Sequence, residues 1–199
     1  MNLSWADVDE PMTLFREWLS LAQSASSLRH PNAVCVSTVS RDGSPDARFV
    51  DLKEVVSEGF VFCTQFDSPK GAALDANSQV AMTFWWDHVE RQVRVRGAAE
   101  RISPTDSDRL FQQRPPEAQL ASCASKQSTP LENREALERR LAELRQRFFQ
   151  MPIPRPEHWG GYLVVPTHVE FLMFRTTRLH ERLLFSRESG AWQKLWLQP

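Results

Sequence analysis

From Asn32 onward apolar residues recur at every second position, and tight turns separate the runs; no other feature limits the fold as much. Val34, Val36 and Thr38 alternate with Cys35, Ser37 and Val39, and Arg41-Asp42-Gly43 supplies a hairpin turn. A second strand, Asp46 to about Val55, ends at Ser57-Glu58-Gly59, and a third runs from Phe60 to Phe66. Connections this short join antiparallel strands, because a parallel pair needs a crossover of about a dozen residues or more. Gln79 to Trp86 is a fourth, strongly apolar strand. After Asp87-His88-Val89-Glu90, the side chains of Val93, Val95 and Gly97 point to a core while Gln92, Arg94 and Arg96 point away. Three further strands are expected near the C-terminus: Tyr162 to Arg175, broken near Pro166; Arg178 to Ser186; and Ala191 to Leu195.

Helices are expected around this framework. Pro11 to about Ser27 is amphipathic, with Leu14, Trp18, Leu19 and Leu21–Ala22 on its apolar side and Pro11 in the first turn. Ser68-Pro69-Lys70-Gly71 opens a short helix to about Ala76, and Ser103-Pro104-Thr105-Asp106 opens another to about Gln113. Glu117 to Ala124 is a third short piece. Thr129-Pro130-Leu131-Glu132 reads as the start of a long helix to about Phe149, whose stripe is Leu137, Leu141, Leu144 and Phe148. Met151 to Pro156 is a stiff connector rather than a domain boundary, since the C-terminal remainder of the chain is too small to fold alone. The reading is mainly β, one antiparallel barrel with surrounding helices in a single domain, residues 1–199, with 1–10 flexible.

Composition excludes several classes. A formal net charge of −1 gives no global field to draw in nucleic acid or an anionic membrane. The apolar runs fall far short of the ~18 residues of a membrane span, and the acidic N-terminus does not resemble a signal peptide. Cys35, Cys63 and Cys123 lack a Cys-x-x-Cys pattern, which argues for a reducing cytoplasm. The five histidines show no metal-ligand spacing, so no metal is expected.

Several stretches suit an anion. If Arg178-Leu179-His180-Glu181-Arg182 is a strand, Arg178, His180 and Arg182 share one face, and three mutually repelling cations there point to a bound anion. The start of the Pro69 helix presents free N–H groups beside Lys70. Phe49, Asp51 and Lys53 share a strand face and are placed either as a solvated pair or as the lining of a polar cavity. Gln92 stands at a strand start, and Ser125-Lys126-Gln127-Ser128-Thr129 is dense in donors.

With those residues in hand, the chain resembles the pyridoxamine 5′-phosphate oxidase family. The resemblance is carried, in order, by Arg48-Phe49-Val50-Asp51-Leu52-Lys53, Ser68-Pro69-Lys70-Gly71, Glu90-Arg91-Gln92-Val93, Arg114-Pro115, Ser125-Lys126-Gln127-Ser128, Trp159-Gly160-Gly161 and Arg178 to Arg182. It implies an FMN-binding split β-barrel, antiparallel and of Greek-key type, acting as a homodimer with FMN at the interface. It implies that Arg48 and Lys70 grip the FMN phosphate, with Cys63 and Thr64 close by and Gln92, Gln127, Ser128 and Arg182 as further contacts. Phe49, Val50, Lys53 and Ser68 fall within the same cofactor-binding motifs. Lys53 and Arg114 would hold the substrate phosphate, and Arg178 and His180 would orient the substrate as the catalytic pair.

The implied activity is oxidation of pyridoxine or pyridoxamine 5′-phosphate to pyridoxal 5′-phosphate, with O2 as acceptor and H2O2 as product. Departures from the family pattern raise an alternative. Leu110 and Ala118 stand where a tyrosine and a serine help bind the substrate phosphate, and two lost donors weaken a dry site by roughly 1–3 kcal/mol each. Leu172 replaces a tryptophan beside the flavin, Asp51 an apolar residue, and Pro69 an arginine. Together with the terminal Trp196-Leu197-Gln198-Pro199, these suit an FMN-dependent oxidase of a reduced phenazine carboxylate or similar planar acid. A module that binds flavin or haem without turnover is the third reading.

Overall fold

The computed structural model of the chain describes residues 5–25, 29–188 and 190–199. Among the described residues eight strands run in order: β1 Ala33–Val39, β2 Pro45–Val55, β3 Phe60–Gln65, β4 Gln79–Trp86, β5 Arg91–Arg101, β6 Trp159–Met173, β7 Glu181–Glu188 and β8 Ala191–Leu197. The helices are α1 Pro11–Ser24, α2 Pro69–Ala76, α3 Pro104–Gln112, α4 Pro116–Ala124 and α5 Arg134–Arg147. All strand pairs are antiparallel, in the order β3-β2-β1-β4-β5-β6-β7-β8, and β3 pairs back onto β6 to close six strands into a barrel. Because β4 returns beside β1, the order β3-β2-β1-β4 is a Greek key.

Strand β6 makes this closure possible. Its first half, Trp159 to Val164, pairs with β3, and its second half, His168 to Met173, pairs with β7. Strand β5 lies along its other edge from Tyr162 to Met173. The expected break at Pro166 is instead a register shift within one continuous strand. Gly97 lies opposite, where an added Cβ would stand 2.1 Å from the Val165 carbonyl oxygen, so the close approach at the bulge needs glycine.

The barrel interior is filled from alternate positions, as the period of two requires. Val34, Val36, Phe60, Phe62, Met82, Phe84, Val93 and Val95 are all buried completely. Helix α1 plugs one side, capped by Glu10, whose carboxylate accepts from the Thr13 N–H at 3.0 Å. Its buried face is Met12, Leu14, Phe15, Trp18 and Ala22; Phe15 was missing from the expected stripe, and Leu21 is exposed. The expected end near Ser27 lies outside the described residues, and the helix ends at Ser24. Trp5 packs on Trp18 and Trp196, at 5.5 and 5.1 Å between ring centroids. A second apolar cluster, with Val61, Leu110, Phe111, Leu120, Ile153 and Trp159, lies outside the barrel, with Leu141, Leu144 and Phe148 packed on it.

Two expectations are corrected. The long helix starts at Arg134, not at Thr129, because Asn133 takes the cap and accepts from the Ala136 N–H at 2.8 Å. Residues Arg178 to His180 are not strand. Arg178 has φ +67° and its N–H donates to the Arg175 carbonyl at 3.0 Å, so the segment is a turn and β7 begins at Glu181. The strand-face alignment of Arg178, His180 and Arg182 therefore does not form.

Candidate active site

A cavity of about 510 Å³ opens where β2, β3, the start of α2 and the segment after α4 meet. Its lining includes Arg48, Phe49, Val50, Lys53, Cys63, Thr64, Lys70, Arg114, Gln127 and Ser128, residues expected to serve cofactor or substrate, together with Asp46, Asp51 and Trp159.

Each cation reaches it differently. On β2, Arg48 donates to the Val36 carbonyl and to Thr38 Oγ1, at 3.1 and 2.8 Å, and pairs with Asp46. Lys53 is the extra residue of a bulge: Leu52 pairs with Phe62 and Glu54 with Val61, which are consecutive on β3. A bulge re-aims the side chain it carries. Lys53 Nζ lies 3.4 Å from the Asp51 carboxylate.

Lys70, in the first turn of α2, is only 5% exposed. Its Nζ donates to Gln127 Oε1 at 2.9 Å and Thr64 Oγ1 at 3.0 Å, with Ser68 Oγ at 3.4 Å. Burial, and then the nearby Arg48, push its pKa down to about 8. Ser68 is fully buried and serves as the helix cap, accepting from the Gly71 N–H and donating to the Gln65 carbonyl. Gly71 allows α2 to start so close, since a Cβ there would lie 2.1 Å from the Phe66 carbonyl oxygen.

Arg114 lies just beyond α3. It donates to Ser122 Oγ at 2.6 Å and sits over the Trp159 ring, 5.0 Å from its centroid. Burial holds its pKa below the usual guanidinium value. Burial also pushes the Cys63 thiol up to about 11, which makes it a poor nucleophile. Among the described residues, no carboxylate lies within ion-pair distance of Lys70 or Arg114.

Sequence reasoning missed what shapes the segment after α4. Gln65, 4% exposed at the end of β3, donates to the Ser122 and Ser125 carbonyls and accepts from the Gln127 N–H at 2.7 Å. Its one visible signal was a polar residue closing an apolar strand.

The remaining predicted residues lie elsewhere. Gln92, Leu172 and Arg182 are neighbours in register across β5, β6 and β7 on the outer face of the barrel. Arg182 donates to Glu170 at 2.8 Å and to the Gln198 carbonyl at 2.9 Å, while Arg94 binds the other oxygen of Glu170 at 3.2 Å. Glu170, a buried acid between two guanidiniums, was not foreseen. His180 Nδ1 accepts from the Arg175 N–H at 3.1 Å, and its ring packs edge-on against Phe174. The Arg178 side chain is exposed.

Residues 21–148 match the family described as pyridoxamine 5′-phosphate oxidase, and residues 159–199 match the pyridoxine 5′-phosphate oxidase C-terminal dimerisation region. The chain belongs to the pyridoxamine 5′-phosphate oxidase family. The first match takes in the whole cavity lining except Trp159; the second takes in Trp159, Leu172, Arg178, His180 and Arg182. Among relatives in this family, the pyridoxine/pyridoxamine 5′-phosphate oxidase of Rubrobacter xylanophilus is 48% identical, covering 98% of this chain and 88% of that protein. That of Nostoc punctiforme is 45% identical, covering 100% and 93%. The crystal structure of PhzG from Burkholderia lata 383 in complex with tetrahydrophenazine-1-carboxylic acid has a TM-score of 0.94 at 30% identity, covering 100% of this chain and 98% of that one. The fold is also that of a pyridoxamine 5′-phosphate oxidase-related, FMN binding protein from Nostoc punctiforme, with a TM-score of 0.76 at 18% identity over 93% and 97% of the two chains.

Proposed function

We propose that this chain is an FMN-dependent oxidase that converts pyridoxine and pyridoxamine 5′-phosphates to pyridoxal 5′-phosphate, as a homodimer. One observation carries the reading: cations from β2, α2 and the end of α3 meet at one cavity, and Lys70 and Arg114 reach it without a carboxylate partner among the described residues. A buried ammonium held only by neutral oxygens is a site for an anion. The start of α2 offers less than expected: Pro69 has no N–H, and those of Gly71 and Ala72 are taken by Ser68, so only the Lys70 N–H is left to meet the phosphate of FMN. The relatives' 45–48% identity supports the substrate class.

When bound, FMN supplies two-electron oxidation of the substrate carbon, with O2 as the final acceptor. The protein's part is placement. Lys70 and Arg48 hold the cofactor phosphate, with Thr64, Gln127 and Ser128 around them. Lys53 and Arg114 hold the substrate phosphate, and the Trp159 ring beneath the Arg114 guanidinium partly shields it from water. Arg178 and His180 orient the substrate; because His180 Nδ1 is occupied by a backbone N–H, that contact falls to Nε2.

The group at Gln92, Leu172 and Arg182 lies toward the far end of β6 from Trp159, up to about 40 Å along the strand at ~3.3 Å per residue. None of the three lines the cavity, as expected if a second copy completes the site.

A second reading is oxidation of a reduced phenazine carboxylate, favoured by the TM-score of 0.94 to PhzG. The substitutions at Leu110 and Ala118 do not alter the cavity wall directly. Leu110 is packed in the second apolar cluster, and neither it nor Ala118 is part of the cavity lining. Peroxide release by the purified FMN-loaded protein, with pyridoxine 5′-phosphate, pyridoxamine 5′-phosphate and a reduced phenazine carboxylate, separates the two. We expect a yellow dimer that oxidises the phosphates. Turnover of the phenazine alone selects the second reading, and a colourless monomer overturns both.

A further inference from the structure

Glu54 and Arg109 form a two-pronged ion pair, with Nη1 at 2.5 Å from Oε1 and Nη2 at 2.8 Å from Oε2. The pair joins β2 to α3 at a particular place. Glu54 directly follows the bulged Lys53, and Arg109 lies on the helix that leads into Arg114. Arg109 is itself steadied by Asp106 at 3.6 Å, and its carbonyl accepts from the Gln113 N–H, the residue before Arg114. We infer that Glu54–Arg109 is a positioning pair that sets the distance between Lys53 and Arg114, and so tunes the grip on the substrate phosphate. This rests on the proposed roles of those two cations.

The physical case has two parts. Paired N–H···O bonds fix both the distance and the relative plane of their partners, which a single contact does not. The pair is also partly exposed, Arg109 at 43% and Glu54 at 30% of the side chain, so solvent screening limits what it adds to global stability. Its value therefore lies in geometry: a displacement of about 1 Å between binding groups is felt strongly in a reaction that depends on placement. Neither residue lines the cavity.

The experiment compares Arg109→Gln, Arg109→Lys and the swapped double variant Glu54→Arg/Arg109→Glu with Lys53→Met and Arg114→Gln, all in the FMN-loaded full chain. It reads KM and kcat for pyridoxine 5′-phosphate, the Kd of pyridoxal 5′-phosphate by equilibrium dialysis, and Tm. Arg109→Gln should raise KM and Kd together by about tenfold, with kcat within about twofold and Tm nearly unchanged. Arg109→Lys should fall between, and the swap should recover most of the loss. If Lys53→Met and Arg114→Gln raise KM but Arg109→Gln leaves it unchanged, or lowers Tm alone, the positioning role is wrong while the functional reading stands. If Lys53→Met and Arg114→Gln also leave KM and Kd unchanged, both fall.

Discussion

Lys70 Nζ stands 2.9 Å from the side-chain carbonyl of Gln127, which binds the first turn of α2 to the segment after α4. That segment is set in turn by Gln65, so the ammonium is aimed by two glutamines far apart in the chain. Its ligands among the described residues are all neutral oxygens.

Replacing this ammonium should be felt first in cofactor affinity. Lys70→Met should weaken FMN binding roughly tenfold to a hundredfold, as expected for a charged hydrogen bond of about 1.5–3 kcal/mol. Fluorescence quenching of FMN on titration reads it directly.

The pH dependence of the same titration has a defined sign. Lys70 is protonated below about 8, so FMN affinity should hold up to that pH and decline above it; Lys70→Met should flatten the decline. Stability of the FMN-free protein should move the other way. With the folded value at about 8 against an ordinary 10.5, the unfolded chain binds more protons between those limits, and stability rises with pH across that window. Urea midpoints between pH 7 and 10.5 check this.

Asp51 sits 3.4 Å from Lys53 and opposes any anion that Lys53 attracts. Asp51→Asn should lower KM for the phosphate substrates by up to about fivefold at low salt, the scale of an exposed pair. At about 1 M salt, where screening acts over ~3 Å, the difference should shrink toward nothing. An unchanged KM at low salt would show that Asp51 does not act on the phosphate site.

Arg178 holds a left-handed backbone, φ +67°, that glycine adopts without cost. Arg178→Gly should therefore keep the turn and leave Tm within a few degrees. Turnover should drop by more than about tenfold if the guanidinium orients substrate, while FMN affinity stays the same. Loss of Tm without loss of turnover would reverse the assignment.

Phe15 is fully buried, with its ring 4.8 Å from both Phe60 and Phe84 and 5.8 Å from Trp86. Phe15→Ala should cost about 3–5 kcal/mol, through lost contacts and the cavity left behind. Guanidinium unfolding of the two proteins measures it.

How much could be read in the sequence depends on how local each signal is. The alternation at Val34–Val36 and Val93–Val95 survives because half-buried strands record their two faces in consecutive residues. The pairing of β3 with β6 leaves no such record, since Cys63 and Gly161 meet across nearly a hundred residues. At α5 the Thr129-Pro130-Leu131-Glu132 signal misplaced the start, because the cap that forms is Asn133, four residues on. The turn at Arg178 was hidden because nothing in the alternation of Arg178 to Arg182 marks a left-handed residue. Within the site, most of the residues lining the cavity stood in stretches singled out by the family resemblance, though Asp46 did not. Gln65, Ser122 and the Glu54–Arg109 pair were not recognisable, because each acts through a tertiary partner.

The length of β6 carries one more implication. If a two-fold axis sets the cavity of one protomer against the outer face of its partner, each pair contains two separate reaction centres built from opposite halves. A mixed dimer of a Lys53→Met chain and a His180→Gln chain would then hold one centre with both lesions and one with neither. Combining two preparations that are each impaired at low substrate concentration should restore, in every hybrid molecule formed, up to half the activity of the unaltered dimer.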